Sequence, residues 1–122
     1  MKLSTYGANA IYNGTQMPAT LYIKQHVGAP GPDGTANPAQ ETSRPATGRS
    51  TSTEGACSND TELEYTDVTA TPSETWTHFT AWDAATDGNC WGGGTTAANP
   101  VSEGDTARCP VGDLDLSFDL LD

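Results

Sequence analysis

Apolar and polar residues alternate along much of this chain, most cleanly near its end. From Asp113 to Leu120 every even position is apolar and every odd one polar, which places Leu114, Leu116, Phe118 and Leu120 on one strand face. A second run, Thr20 to Val27, sets Leu21, Ile23 and Val27 against Tyr22, Lys24 and His26. A third, Glu74 to Trp82, sets Trp76, His78, Thr80 and Trp82 against Thr77, Phe79 and Ala81. Shorter strand-like pieces are Leu63 to Tyr65, Asn89 to Trp91 and Thr106 to Cys109, with Gly92-Gly93-Gly94 ending the second of them. Turns are expected at Thr71-Pro72-Ser73, Asp87-Gly88, Glu103-Gly104-Asp105 and Pro110-Val111-Gly112. One helix is predicted, over Tyr6 to Tyr12, capped by Ser4 or Thr5, stopped at Asn13-Gly14 and packed through Gly7, Ala8 and Ile11.

These elements predict an all-β protein. The expected architecture is a small antiparallel β-sandwich, jelly-roll-like, forming one domain over residues 1–122. A short helix or arm occupies 1–14, and a long Gly/Pro-rich polar loop region occupies 28–60. Gly28 to Gly34 passes through two collagen-like triplets, too few for a triple helix, and reads as a turn-rich loop.

Composition sharpens the picture at one point. Leu, Ile, Val and Phe together number only 15 of 122 residues, and the net charge is -11. Chains below roughly 20% in these residues with a high net charge tend towards disorder. Here the few apolar residues sit almost entirely in period two, so a thin sandwich closes with Trp and Tyr standing in for Leu and Ile. The segment 28–60 and the helix lack such support, and both are expected to be ordered by neighbouring molecules.

Charge also excludes partners. A chain this acidic lacks the Lys and Arg that neutralise phosphates, so no nucleic acid is expected. No apolar run reaches the ~18 to 20 residues that cross a bilayer, and the first residues lack an apolar signal segment, so neither a membrane nor export through an N-terminal signal is expected. The charge is uneven: residues 1–50 sum to +2 and residues 51–122 to -13.

Candidate chemistry is sparse. Cys57, Cys90 and Cys109 leave at least one thiol unpaired, and Cys90 and Cys109 lie in consecutive strand-like segments where a bridge is conceivable. His26 and His78 sit singly, His26 on the surface and His78 half-buried, with no metal-ligand spacing. Asp113, Asp115 and Asp119 on one strand face, or Asp83, Asp87 and Asn89 around a turn, have oxygens suited to calcium, but a solvated acidic face is the commoner use. The triple glycine is followed by no Lys-Ser/Thr and is not a phosphate loop. The triplets Asn13-Gly14-Thr15 and Asn59-Asp60-Thr61 read as chance matches to a glycosylation signal. No catalytic, cofactor-binding or metal-binding residue is assigned, and no enzymatic activity is expected. Trp76, Phe79, Trp82 and Trp91 are candidates for an aromatic core or for an interface.

The run Thr77 to Asn89, followed by Trp91-Gly92-Gly93-Gly94, Gly104-Asp105 and Pro110-Val111-Gly112-Asp113-Leu114-Asp115-Leu116, resembles small β-rich structural proteins of tailed bacteriophages, especially those infecting actinobacteria. The resemblance extends to Leu21 through Gly31 and to the N-terminal helix. Proteins of this kind are labelled head decoration, minor capsid or tail fibre proteins. It implies a virion component made in the host cytoplasm and located on the capsid surface. The function expected is capsid decoration: docking on the phage major capsid protein, self-associating as a trimer or other symmetric cluster, and stabilising the assembled shell. On that reading Tyr6, Ile11, Tyr12, Lys24, Arg44 and Arg49, in the less acidic half, face the capsid or a sister subunit. The alternative is a tail-fibre or tail-tip component that meets the host surface through its tryptophans and acidic loops.

Overall fold

The computed structural model describes residues 2–122. Helix α1 (Thr5–Asn13) begins as its sequence dictates: Ser4 stands in extended backbone and its Oγ accepts the Gly7 N–H at 3.1 Å. Such a cap stabilises by about 1 kcal/mol. Nine residues are too few to hold a helix alone, and partners further along the chain complete it. Asn9 Oδ1 accepts from Ser52 Oγ and Gly55 N, and Arg49 donates to the carbonyls of Tyr12, Met17 and Pro18. The buried stripe is Ala8 and Tyr12, one turn apart; Ile11 turns outward and is 42% exposed, contrary to expectation.

The strands are β1 (Leu21–His26), β2 (Ala46–Thr47), β3 (Ala56–Ser58), β4 (Leu63–Tyr65), β5 (Ser73–Trp82), β6 (Cys90–Ser102), β7 (Ala107–Cys109) and β8 (Asp115–Ser117). The fold is all-β with antiparallel strand pairs, in one four-stranded sheet of order β2-β1-β5-β6 and two ribbons, β3-β8 and β4-β7. The strands thus divide four, two and two, rather than into the two four-stranded sheets of a jelly roll. Leu21, Ile23, Phe79 and Ala81 share one core with Cys57 and Leu116 from the first ribbon and Leu63, Tyr65, Ala107 and Cys109 from the second. Tyr65 meets Trp76 edge to face at 5.2 Å, so aromatic rings do fill a core short of Leu and Ile.

Four readings of the sequence need correction. First, Gly92-Gly93-Gly94 does not end its strand: β6 runs on to Ser102. A side chain at Gly93 would strike the Phe79 carbonyl, so glycine is what lets β6 lie this close to β5. Pro100 is tolerated because β6 is an edge strand. Second, Trp76 and Trp82 do not share a face. Trp76 pairs with Asn99 and His78 with Thr95, so Thr96, Ala97 and Ala98 stand opposite Thr77 alone; across this bulge the core side passes from Trp76 to Phe79 and Ala81. Third, His26 is completely buried and Val27 is exposed, because residues 28–37 fold back over the end of β1. Fourth, residues 28–60 are not all loop: they carry β2 and β3, and Ala39, Glu41, Thr47, Ser52, Cys57 and Asn59 are buried within the chain itself.

Two polar devices secure that segment. Burial pushes Glu41 up, but hydrogen bonds from Ser43 and from the Thr69 N–H more than reverse this and leave it below its ordinary value. Asn59 Oδ1 accepts the Leu114 N–H while its Nδ2 donates to the carbonyls of Thr61 and Pro110, which buries the amide of one of the chance glycosylation triplets. In the last alternating segment only Asp115–Ser117 is paired as a strand, yet burial alternates as expected, with Leu114 and Leu116 inside and Asp113, Asp115 and Asp119 outside. Leu120 forms a parallel bridge with Leu3, the Leu3 N–H donating to Asp119 and Leu121 donating to Leu3.

Candidate docking surface

Trp91 is the one tryptophan that reaches solvent, at 43% exposure. The loop before it fixes its position. Asp83 Oδ1 accepts the Asn89 N–H, and its Oδ2 accepts the Asn89 side-chain amide and the Trp91 indole N–H. These bonds, the Asn89 backbone N–H foremost, hold the Asp83 carboxyl below its ordinary value. Arg44 grips the same loop from beneath: it donates to the carbonyls of Ala84 and Asp87, and its guanidinium lies 4.2 Å over the Trp82 ring. Asp87 and Gly88, both at positive φ, complete the turn. The Asp83, Asp87 and Asn89 cluster is therefore a hydrogen-bonded loop brace, and no group of three His, Cys, Asp or Glu side chains placed to hold a metal ion occurs among the described residues.

A groove lies on either side of Trp91. One, of about 290 Å³, runs between β6 and the Pro30-Gly31-Pro32 turn. The other, of about 180 Å³, runs between β6 and α1, over Ile11, Tyr12, Met17 and Phe118. No charged residue lines either groove; the sequence has none from Leu3 to Ile23 and none from Gly88 to Ser102, the stretches that supply α1 and β6. Trp91 thus stands between two grooves lined without charge on a protein of charge -11, whereas Tyr6, 85% exposed at the start of α1, lines neither.

The remaining candidate residues lie elsewhere. Tyr12 is buried against Phe118, ring centroids 4.8 Å apart, and burial with the nearby Cys57 pushes its phenol up to about 12, so it is no surface anchor. Arg49 donates to backbone carbonyls, and Arg44 to the loop while lying over Trp82, so each guanidinium has a role within the chain. Lys24 is partly buried, and burial together with the Arg44 charge lowers its pKa, partly offset by Glu41 and Glu74. Lys2 pairs with Asp119 and Asp122, and Arg108 with Glu62 and Glu64. The basic residues of the first half thus form no open patch. Trp76 and Phe79 are core, and Trp82 is buried.

Behind Trp82 runs a buried polar chain. The Trp82 indole donates to Thr80 Oγ1 at 2.7 Å, His26 Nε2 meets the same hydroxyl at 2.8 Å, and His26 Nδ1 meets the Ala36 carbonyl at 2.9 Å. A carbonyl only accepts, so Nδ1 carries the proton and Nε2 accepts from Thr80. Every member is satisfied by a neutral imidazole. The three cysteines are free thiols, Cys57 and Cys109 buried and raised by that burial, Cys109 to about 11. Cys109 lies under Gln25 on the core side of β1, whereas Cys90 faces Gly34 across the opposite side of the sheet.

The sequence comparison puts this β-rich chain among phage structural proteins, proteins of the virion. Residues 2–117 match the family described as Podophage GP4 fiber I protein gp80, and the chain belongs to that family. No curated protein matches the chain.

Proposed function

We propose that the chain is a fibre component of the phage particle, acting by docking and assembly rather than by catalysis. The observation that carries this is the family match over residues 2–117. The surface chemistry supports it: Trp91 is exposed between two grooves that no charged residue lines, which suits protein or host-surface contact. Capsid decoration, the function first expected, rested on a resemblance shared by head and tail proteins, and the family match is to a fibre protein. The test is location and copy number. Labelled antibody or cryo-electron microscopy of purified particles is expected to find the chain on the tail fibres, in tens of copies or fewer. Hundreds of copies on the head would overturn the proposal in favour of decoration.

A further inference from the structure

The groove between β6 and α1 has three features that the packing of the fold does not require. The first is the placing of Trp91. Cys90 pairs with Trp82 and Gly92 with Ala81, so Trp91 is the extra residue of a bulge and stands opposite nothing on β5. Bulges re-aim side chains, and here the indole borders the groove with its N–H held 3.3 Å from Asp83 Oδ2. The second is Gly92. A side chain at Gly93 would strike β5, and one at Gly94 would press on Phe79 and the Asp115 carbonyl, but at Gly92 the nearest atom is Leu116 Cδ2, 3.8 Å from where a Cβ would stand. Its φ is not positive either, so neither packing nor backbone conformation demands a glycine, and the bare backbone keeps the groove open. The third is Tyr12, which lines the groove and is 5% exposed, yet whose hydroxyl has no hydrogen-bond partner among the described residues. Among those residues no side-chain oxygen or nitrogen sealed from solvent is left unpaired, so this hydroxyl opens on the groove, able both to donate and to accept.

We infer that this groove binds one ring of a neutral saccharide chain, the ring lying against Trp91 and over Gly92 with one of its hydroxyls bonded to Tyr12. Chemistry selects the occupant. A pyranose with equatorial hydroxyls offers C–H faces to the indole and, around its rim, hydroxyls that match a phenol in both directions. An alkyl chain would cover the phenol and leave it unpaired, which is costly for a buried polar group. An anionic sugar would find no cation in the lining, and the net charge of -11 repels it. Size selects a single unit. At about 180 Å³ the groove is smaller than the roughly 300 to 1,000 Å³ of sites that enclose a whole small molecule, as suits one ring of a chain that runs on past it. The inference names a ligand for the docking role proposed above and rests on that role. Binding is measured on the free protein, so a failure here strikes the saccharide, while the position of the chain on the particle still decides the role.

Nuclear magnetic resonance titration of the full chain tests it, with cellotriose and chitotriose as neutral probes, trigalacturonate as the anionic counterpart and hexanol as the apolar one. Saturable shifts are expected at the Trp91 indole N–H and at the Ile11 and Gly92 amides with at least one neutral trisaccharide, and binding of trigalacturonate is expected to be weaker by about tenfold or more. Gly92→Val, which adds a side chain where space is open, is expected to weaken binding by about tenfold or more with the fold intact. Tyr12→Phe removes the hydroxyl alone and is expected to weaken it by about two- to tenfold. The dispersion of each variant's spectrum establishes that it is folded. No saturable shift with either neutral trisaccharide overturns the inference. So does a stronger response to hexanol or to trigalacturonate, or binding that neither substitution weakens in a folded chain.

Discussion

On one face of the four-stranded sheet, Leu21, Ile23, Phe79 and Ala81 pack against the two ribbons; on the other, Tyr22, Lys24, His26, Thr80 and Trp82 lie beneath Arg44 and the loop that follows β1. The first face is held by volume. The second is held by matched donors and acceptors, in which Arg44, Thr80 and the Ala36 carbonyl each have a fixed role. A protein with so few aliphatic residues can bury both faces of a sheet only if one is satisfied by polar groups, and polar burial succeeds only when every group is paired. The same division explains the loops. The 28–37 loop and the 83–89 loop are both secured from the polar face, so loss of its hydrogen bonds would release the walls around Trp91 while leaving the apolar layer standing.

The largest effect is expected on the apolar side. Phe79→Ala leaves a cavity between sheet and ribbons and should cost roughly 3 to 5 kcal/mol, read from the denaturant midpoint. Arg44→Ala removes two hydrogen bonds and the contact over Trp82, for a loss of roughly 2 kcal/mol, and Arg44→Lys should not restore it because lysine lacks the flat fork. Its signature is changed tryptophan fluorescence with the apolar core intact; equal losses in near-ultraviolet dichroism from the core would argue that the faces are not separable. The smallest effect is a pH dependence. In the folded chain the His26 pKa lies below its ordinary 6.5, chiefly through burial, with the Ala36 carbonyl opposing and the charges of Lys24 and His78 adding. The unfolded chain takes up the proton more readily, so the stability is complete above pH 6.5 and falls as the pH drops through that value. His26→Gln should flatten this part of the profile, and an unchanged slope would assign it to other groups.

Much of this arrangement is legible in period two, but only where the period is local. The alternation of Leu21 through Lys24 and of Asp113 through Asp119 places those side chains correctly, and Ser4 marks the helix start. β2 and β3, two and three residues long, are too short to show any period inside a polar stretch. The passage of the core side from Trp76 to Phe79 has its cause in the extra residues of β6, nearly twenty positions further on, and nothing in β5 itself announces it. The docking surface is half legible. Trp91 stands out as an aromatic among glycines, and Asp83 with Asn89 marks a loop closed on itself. That Arg44 and Arg49 are spent on backbone carbonyls depends on where the carbonyls of Tyr12, Pro18 and Ala84 arrive in space, which composition and spacing do not encode.

The bridge between Leu3 and Leu120 has a consequence for the order in which the molecule assembles during synthesis. Helix α1 is made before the residues that hold it, is too short to persist alone, and waits for Arg49 and residues 52–55 to close it. Leu3 waits longer still, for Asp119 and Leu121. The nascent chain therefore carries the uncharged stretch from Leu3 to Ile23, with Tyr6 and Ile11, unfolded until residues 119–121 have been added. Folding is expected to be late, cooperative and slow for the chain's size, with long-range pairings carrying the rate. Loss of residues 119–122 would strike first at Leu3 and the helix that follows it.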